Sequence, residues 1–361
     1  MNKNSCVIFL LGLRKFFTMD ITLNERIACF VQLGKDLSPN SQWFRENIAT
    51  AFSRLYQSNG WFTEASVTKA CEGLNLMLHE NDVVEWLSEY HISTELPKKR
   101  VAIIMAGNIP FVGFHDLLCV LIAGHSAIVK LSSEDSILPT IIIQRILELE
   151  PRFESYIRMS DTKLLNFDAV IATGSNNTAR YFEAYFGKYP HIIRKSRSSV
   201  AVLDGAETTS ELQLLGNDIL DFFGLGCRNV SKLYVPTNYT FDALFEAVYE
   251  KKEVININKY ASNYDYNRAV YLMNSIPFLD NNFLIIKQGN DLHTPVSVIH
   301  YEFYDEIEKV QSALHAQQEE IQCIVSHVAD IKPSVNFGES QKPRLWDYAD
   351  QVDTLRFLLH L

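Results

Sequence analysis

Cysteine is scarce in this sequence, and its spacing excludes several classes of protein. The 361 residues contain six cysteines, none close enough to another to form a C-x-x-C pair: Cys6, Cys29, Cys71, Cys119, Cys227 and Cys323. A secreted disulfide framework would be denser, so we expect a reducing, cytoplasmic location. Neither H-E-x-x-H nor paired cysteine and histidine ligands occur, and the sequence therefore predicts no metal site.

Long apolar runs are also missing. The apolar run at residues 6–11 follows Lys3 and superficially resembles a signal peptide. No small-residue cleavage site follows it, and it is far too short to span a bilayer. We therefore interpret residues 1–18 as an extension ahead of a more natural start at Met19, with a secretory segment as the alternative. The sequence predicts no membrane span.

Positive charge is in deficit. Asp and Glu number 43 against 33 Lys and Arg, which gives a formal net charge of -10 and a pI near 5.5. The sequence therefore predicts no nucleic-acid partner. Hydrophobic residues make up 47% of the chain, enough for large cores, and the length suggests about two domains.

The arrangement of apolar residues predicts an α/β fold. Helical spacing prevails from residue 23 to about residue 95, where Pro97 interrupts it. Buried strands are then predicted at 101–106, 126–130, 167–172 and 199–203, separated by helices at 114–122, 137–150 and 178–186. Strands that alternate with helices form a parallel, doubly wound sheet, whose ligands bind beyond the carboxyl ends of the strands.

A second α/β region follows. It contains predicted strands at 232–235 and 296–299, a helix at 241–251 and another helix that begins near Tyr304. We place the boundary near Asp204 and Gly205, which divides the chain into a first domain at 19–204 and a second at 205–361.

Four short segments concentrate the functional signal, although the G-x-G-x-x-G dinucleotide fingerprint is absent. They are GNIP at 107–110, KLSSE at 130–134, ATGS at 172–175 and GLGC at 224–227. Together they resemble the aldehyde dehydrogenase superfamily, and more closely its LuxC-type acyl-CoA reductases, the fatty acid reductases of bacterial bioluminescence. The resemblance extends from Met19 to the C-terminal tail, which carries NFG at 336–338 and LWDY at 345–348. It implies a cofactor-binding first domain and a catalytic second domain.

The resemblance implies that Cys227 is the nucleophile and that Asn108 stabilises the oxyanion. An isolated cysteine is more often a small buried hydrophobe, and an asparagine in a loop is often a cap. Cys227, however, lies in a glycine-rich turn that leaves backbone amides accessible around its sulfur. Arg228 and Lys232 are close enough in sequence to lower the pKa of the thiol.

The resemblance also implies a nicotinamide cofactor site. Gly174 and Ser175 open a helix that would bind the pyrophosphate, although Ser175 is equally an ordinary N-cap. Lys130 would reach the adenosine ribose hydroxyls, unless it is simply solvated. Ser133 stands where relatives carry an acid, which favours the 2′-phosphate of NADPH. Asp291 aligns with the glutamate that holds the nicotinamide ribose, one carbon shorter.

Ile193 occupies the position at which aldehyde-oxidising relatives place a water-activating glutamate. The resemblance therefore implies NADPH-dependent reduction of a long-chain fatty acyl-CoA, or an acyl carrier protein thioester, to an aldehyde. Two alternatives are a CoA-acylating aldehyde dehydrogenase that works in the oxidative direction and a non-catalytic acyl-carrying subunit. The quaternary state stays open, with a homo-oligomer among the alternatives.

Overall fold

The computed structural model describes residues 20–92 and 97–361, so the extension predicted at 1–18 lies outside the described residues. The first part is helical, as the apolar spacing predicts, and comprises α1 (Leu23–Asp36), α2 (Gln42–Asn47), α3 (Phe52–Ser58), α4 (Glu64–Met77) and α5 (Glu80–Ser88). A capping box opens α1, because the Thr22 hydroxyl accepts the Glu25 N–H and the Glu25 carboxylate accepts the Thr22 N–H.

The first sheet has five parallel strands. In chain order its elements are β1 (Arg100–Ile104), α6 (Phe114–Ile122), β2 (Ser126–Lys130), α7 (Ile137–Leu149), β3 (Ile157–Met159), β4 (Ala169–Thr173), α8 (Asn176–Phe186) and β5 (His191–Arg194). The strand order β3-β2-β1-β4-β5 confirms the predicted doubly wound architecture. The order reverses between β1 and β4, which makes their carboxyl ends the topological switch point.

The second sheet has six strands in the order β11-β6-β7-β10-β9-β8, and only the pair β8 and β9 is antiparallel. Its elements are β6 (Ser198–Val202), α9 (Thr209–Leu220), β7 (Val230–Pro236), α10 (Asp242–Val248), α11 (Asn258–Met273), β8 (Leu279–Asp280), β9 (Ile285–Gln288), β10 (Val298–Tyr304), α12 (Ile307–Ala316) and β11 (Ile321–Val325). None of the helices in the described ranges is long and apolar enough to cross a membrane.

The expectation that the strand near 199–203 continues the first sheet is wrong. β6 pairs with β7 and β11. Only residues 195–197 separate it from β5. Parallel neighbours in one sheet need a crossover of about a dozen residues or more. Because this link is much shorter, it carries the chain into another sheet. The change of sheet therefore precedes the boundary predicted near Asp204.

The C-terminal residues return to the first core. Leu345, Leu355 and Leu358 are buried there among residues of α1 to α7, and the last helix, α13 (Thr354–Leu359), packs against α6. The tail therefore crosses the junction between the two sheets.

Candidate active site

The segments that carry Asn108 and Cys227 meet where the carboxyl edge of the first sheet faces the amino edge of the second. Asn108 follows β1, and its Nδ2 donates to the carbonyl oxygen of Leu225 at 2.8 Å. A Cβ at Gly226 would lie 3.3 Å from Ile109 Cδ1, so the two loops are in close contact. Two segments separated by more than 100 residues thus form one site.

A left-handed stretch of backbone leads into the cysteine turn. Phe222, Phe223 and Gly224 have φ values of 51°, 61° and 76°. Each non-glycine residue in this region costs roughly 1–2 kcal/mol, and such strain clusters at functional sites. Aromatic packing offsets part of this cost, since the Phe223 ring centroid lies 5.2 Å from that of Trp61 and 6.4 Å from that of Tyr260.

Two buried polar side chains hold the turn. Asn229 closes it by donating its N–H to Gly226 O at 3.0 Å, and its Oδ1 accepts the Gly226 N–H at 2.8 Å. Ser199 Oγ donates to Cys227 O at 3.0 Å. The Asn229 Nδ2 also donates to the carbonyl oxygens of Asp218, Ile219 and Asp221. The turn is thereby fixed to the end of α9 and to β6.

Cys227 combines an exposed position with a thiol in a desolvating environment. The residue is exposed. Desolvation by the surrounding protein raises its pKa, the positive charges of Arg228 and Arg194 lower it, and Asp350 raises it. Arg228 therefore acts in the predicted direction. Lys232 is engaged elsewhere, because its buried ammonium donates to Glu302 Oε2 at 2.7 Å and to Asn290 O at 2.9 Å.

The C-terminal tail lines the same site. Arg228 Nη2 donates to Asp347 O at 2.7 Å, and Arg197 Nε lies 3.1 Å from Asp350 Oδ1. The buried Arg194 donates to Ala349 O at 2.9 Å and to Asp116 Oδ1 at 2.5 Å. Neither Arg194 nor Asp350 stands out in the sequence.

Ile193 and Arg194 extend from β5 in different directions. Ile193 pairs with Ala172 and packs against the same apolar cluster of the first sheet as Phe182 and Phe186 of α8. Arg194 contacts α6 and the tail, and its positive charge lowers the pKa of the Cys227 thiol. The position predicted to replace a glutamate therefore carries an apolar side chain that packs into the cluster on the first sheet.

The predicted cofactor residues of the first domain follow the carboxyl ends of its central strands. Lys130 ends β2, half-buried and in register with Ile104, and Ser133 is exposed in the next turn. Ser175 caps α8 by accepting the Thr178 N–H at 3.3 Å. A Cβ at Gly174 would come within 3.0 Å of Thr178, so a glycine keeps this helix entrance open.

Asp291 lies near the same junction. It is exposed in the loop after β9, and its carbonyl oxygen lies 3.1 Å from His300 Nδ1. The next residue, Leu292, accepts a 2.6 Å hydrogen bond from Ser231 near the start of β7. Asp291 thus shares the amino edge of the second sheet with Cys227.

Asp135, which no motif indicates, supports the loop that carries Asn108. Its Oδ2 accepts the N–H of Phe111 at 3.3 Å, and Phe111 has a φ of 63°. Its Oδ1 is buried without a hydrogen-bond partner among the described residues. Burial raises the pKa of this carboxyl group to about 7.

One group of potential metal ligands comes together in the described part of the chain, at the far edge of the second sheet. Oxygen or nitrogen atoms of Asp204, Glu207 and His327 lie within 4.8 Å of one another. Hydrogen bonds account for this arrangement, since His327 contacts Glu211 at 2.9 Å and Asp204 at 3.1 Å. The prediction of no metal stays a prediction.

Solved structures place this architecture in a known class. Aldehyde dehydrogenase 21 from Physcomitrella patens, in complex with the reaction product succinate, is 12% identical with a TM-score of 0.66, over 95% of this chain and 85% of that one. A mutant of aldehyde dehydrogenase C from Pseudomonas syringae, in complex with NAD+ and octanal, is 11% identical with a TM-score of 0.60, over 85% and 72%. The chain therefore has the aldehyde dehydrogenase fold.

The sequence of the central part of the chain is similar to a known family. The family model for acyl-CoA reductase (LuxC) matches residues 78–253, which include Asn108, Gly174 and Cys227. The match covers just under half of the chain, so the central part of the chain is similar to this family, and the match and the fold together indicate an oxidoreductase. No curated protein sequence matches it significantly.

Proposed function

We propose that this enzyme reduces a long-chain fatty acyl-CoA, or an acyl carrier protein thioester, to the aldehyde through an acyl-enzyme on Cys227, with NADPH as the hydride donor. The contact between the Asn108 side chain and the Cys227 turn carries this proposal. It brings a nucleophile and an amide donor together at the switch point of a doubly wound sheet.

Acylation requires little more than these groups. The Cys227 thiolate attacks the thioester carbonyl, a new carbon–sulfur bond forms, and the departing thiolate of the acyl donor takes up a proton. Charge develops on the carbonyl oxygen in the tetrahedral intermediate. The Cys227 N–H and the second Asn108 Nδ2 proton would donate to it, and one such donor is typically worth about 2.7–4 kcal/mol.

The residues at the switch point suit a dinucleotide. When bound, the cofactor would supply the hydride that converts the acyl group to the aldehyde level. Gly174 and the amino end of α8 would bind its pyrophosphate, as helix N-termini do. Lys130 and Ser133 would bind the adenosine ribose and a 2′-phosphate, and Asp291 the nicotinamide ribose. We place the activity in the cytoplasm, because the described cysteines are all free thiols.

Replacement of Cys227 by Ala tests this function. We expect loss of NADPH consumption with every acyl-CoA in a series of chain lengths, because the thiol forms the only covalent bond to substrate. Cys119→Ala is the matched control, since Cys119 is buried in α6. Activity retained by the Cys227 variant would refute the acyl-enzyme, and a strong preference of the native chain for NADH would refute the assignment of NADPH.

A further inference from the structure

The hydroxyl of Ser199 has only one direction in which to donate. Ser199 is fully buried in β6. Its oxygen accepts the Cys323 N–H and the Cys323 S–H, both at 3.2 Å. A serine hydroxyl has two acceptor lone pairs and one proton. With both lone pairs engaged by Cys323, the proton points to Cys227 O at 3.0 Å.

The peptide groups on both sides of the Cys227 N–H are therefore fixed. Asn229 Oδ1 binds the Gly226 N–H, and Ser199 binds the Cys227 carbonyl. Between them, the Cys227 N–H donates to no other residue in the described ranges. This N–H belongs to the same residue as the nucleophilic sulfur. The turn thus presents one unengaged donor beside the nucleophile.

We propose that Ser199 is a positioning residue that directs the Cys227 N–H toward the oxyanion formed at the Cys227 sulfur. The inference rests on the proposed acyl-enzyme chemistry. The Ser199 backbone N–H donates to Asn229 O at 3.2 Å, and the Ser199 hydroxyl contacts the turn only through the Cys227 carbonyl. Loss of the hydroxyl alone would therefore release the carbonyl side of the cysteine backbone. It touches neither substrate nor cofactor.

Two reactions of the same thiol separate this role from a structural one. Acylation by a thioester passes through an oxyanion and depends on the N–H donor. Alkylation by iodoacetamide displaces iodide directly and forms no oxyanion. Loss of the Ser199 hydroxyl should therefore slow acylation and leave the alkylation rate of Cys227 within about twofold of the native rate. A general loosening of the turn would change both rates together.

Ser326, which directly follows β11, offers a matched control that binds the strand that Ser199 occupies. It is also buried, and its Oγ donates to Val202 O at 2.8 Å, at the opposite end of β6 from Cys227. Ser199→Ala and Ser326→Ala each remove one buried hydroxyl that binds a carbonyl oxygen. Only the first should affect the oxyanion donor.

The experiment measures single-turnover acylation by radiolabelled acyl-CoA, and iodoacetamide alkylation mapped to Cys227, in the full chain. Removal of an oxyanion donor typically costs 10²–10³-fold, so a misdirected donor should slow acylation about tenfold or more in Ser199→Ala. Equal acylation in Ser199→Ala and Ser326→Ala, or a parallel fall in alkylation, would overturn the inference.

Ser199→Thr keeps the hydroxyl and should retain at least about half of the acylation rate of Ser326→Ala. It also decides the matter alone if Ser199→Ala does not fold, because a tenfold loss in the folded threonine variant would contradict the role of the hydroxyl. An unlabelled native Cys227 would instead contradict the proposed function.

Discussion

At the scale of single residues, charges of opposite sign act on the Cys227 thiol. Arg228 lowers its pKa and Asp350 raises it, while desolvation raises it most. Thiolate, not thiol, reacts with electrophiles, so the pH dependence of alkylation reports this balance directly. Reactivity at neutral pH thus depends on neighbours from two distant parts of the chain.

A pair of neutral substitutions should move this pH dependence in opposite directions. Arg228→Gln removes a cation and should shift the midpoint of iodoacetamide alkylation to higher pH. Asp350→Asn removes an anion and should shift it to lower pH. The measurement is the alkylation rate of Cys227 against pH in both variants and in the native chain. Shifts of the same sign in both variants would contradict the arrangement of charges described above.

At the scale of elements, the loop between β1 and α6 depends on a buried acid at the start of α7. The carboxyl group of Asp135 has an ordinary pKa of 3.8 and a folded-state pKa of about 7. Between these two pH values the carboxyl group of Asp135 is deprotonated in the unfolded chain and protonated in the folded chain. Stability should therefore fall as the pH rises through this window, by about 1.4 kcal/mol per unit.

Asp135→Asn removes this dependence and keeps an acceptor for the Phe111 N–H. The free energy of unfolding of the native chain, relative to that of the variant, should decline between about pH 4 and pH 7 and level off above pH 7. Urea denaturation of both proteins across this range measures the difference. Parallel pH profiles would show that Asp135 is ionised throughout the window.

The elements that were predicted from sequence have clear periodicity, and several of those that were missed do not. The alternating strands and helices of the first sheet stood out because their apolar runs are continuous. α11 was missed because its sequence, NKYASNYDYNRAVYLM, contains few aliphatic residues and has no apolar stripe. β5 has only four residues and β3 three, too few for a pattern. The composition of β6 does not indicate to which sheet it belongs. That assignment depends on the length of the link between β5 and β6.

At the scale of the whole molecule, the site is assembled from segments that sequence alone could not connect. Motif resemblance indicated Asn108 and Cys227, and the fold brings their loops into contact. Arg194, Asp350 and Asp135 had no such signal, because their effects depend on burial and on partners far along the chain. Asp350, for example, lies in the tail. This tail follows the last strand of the second sheet along the chain and packs against the first core.

The same assembly bears on the fate of an acyl-enzyme. The side chain of Ile193, which packs into the apolar cluster on the first sheet, can neither accept a proton nor orient water. General-base assistance contributes about 10²–10⁴-fold, so without it hydrolysis should be slow compared with hydride transfer. We therefore expect the acyl group to persist on the enzyme until the reduced cofactor arrives.

A pulse-chase experiment with the full chain tests the central claim most directly. The protein is mixed with radiolabelled long-chain acyl-CoA in the absence of cofactor, the labelled residue is mapped, and NADPH is then added. We predict a stable label on Cys227, little free fatty acid before the addition, and release of the label as aldehyde after it. A label on another residue, or release as free fatty acid before NADPH is added, would contradict the account.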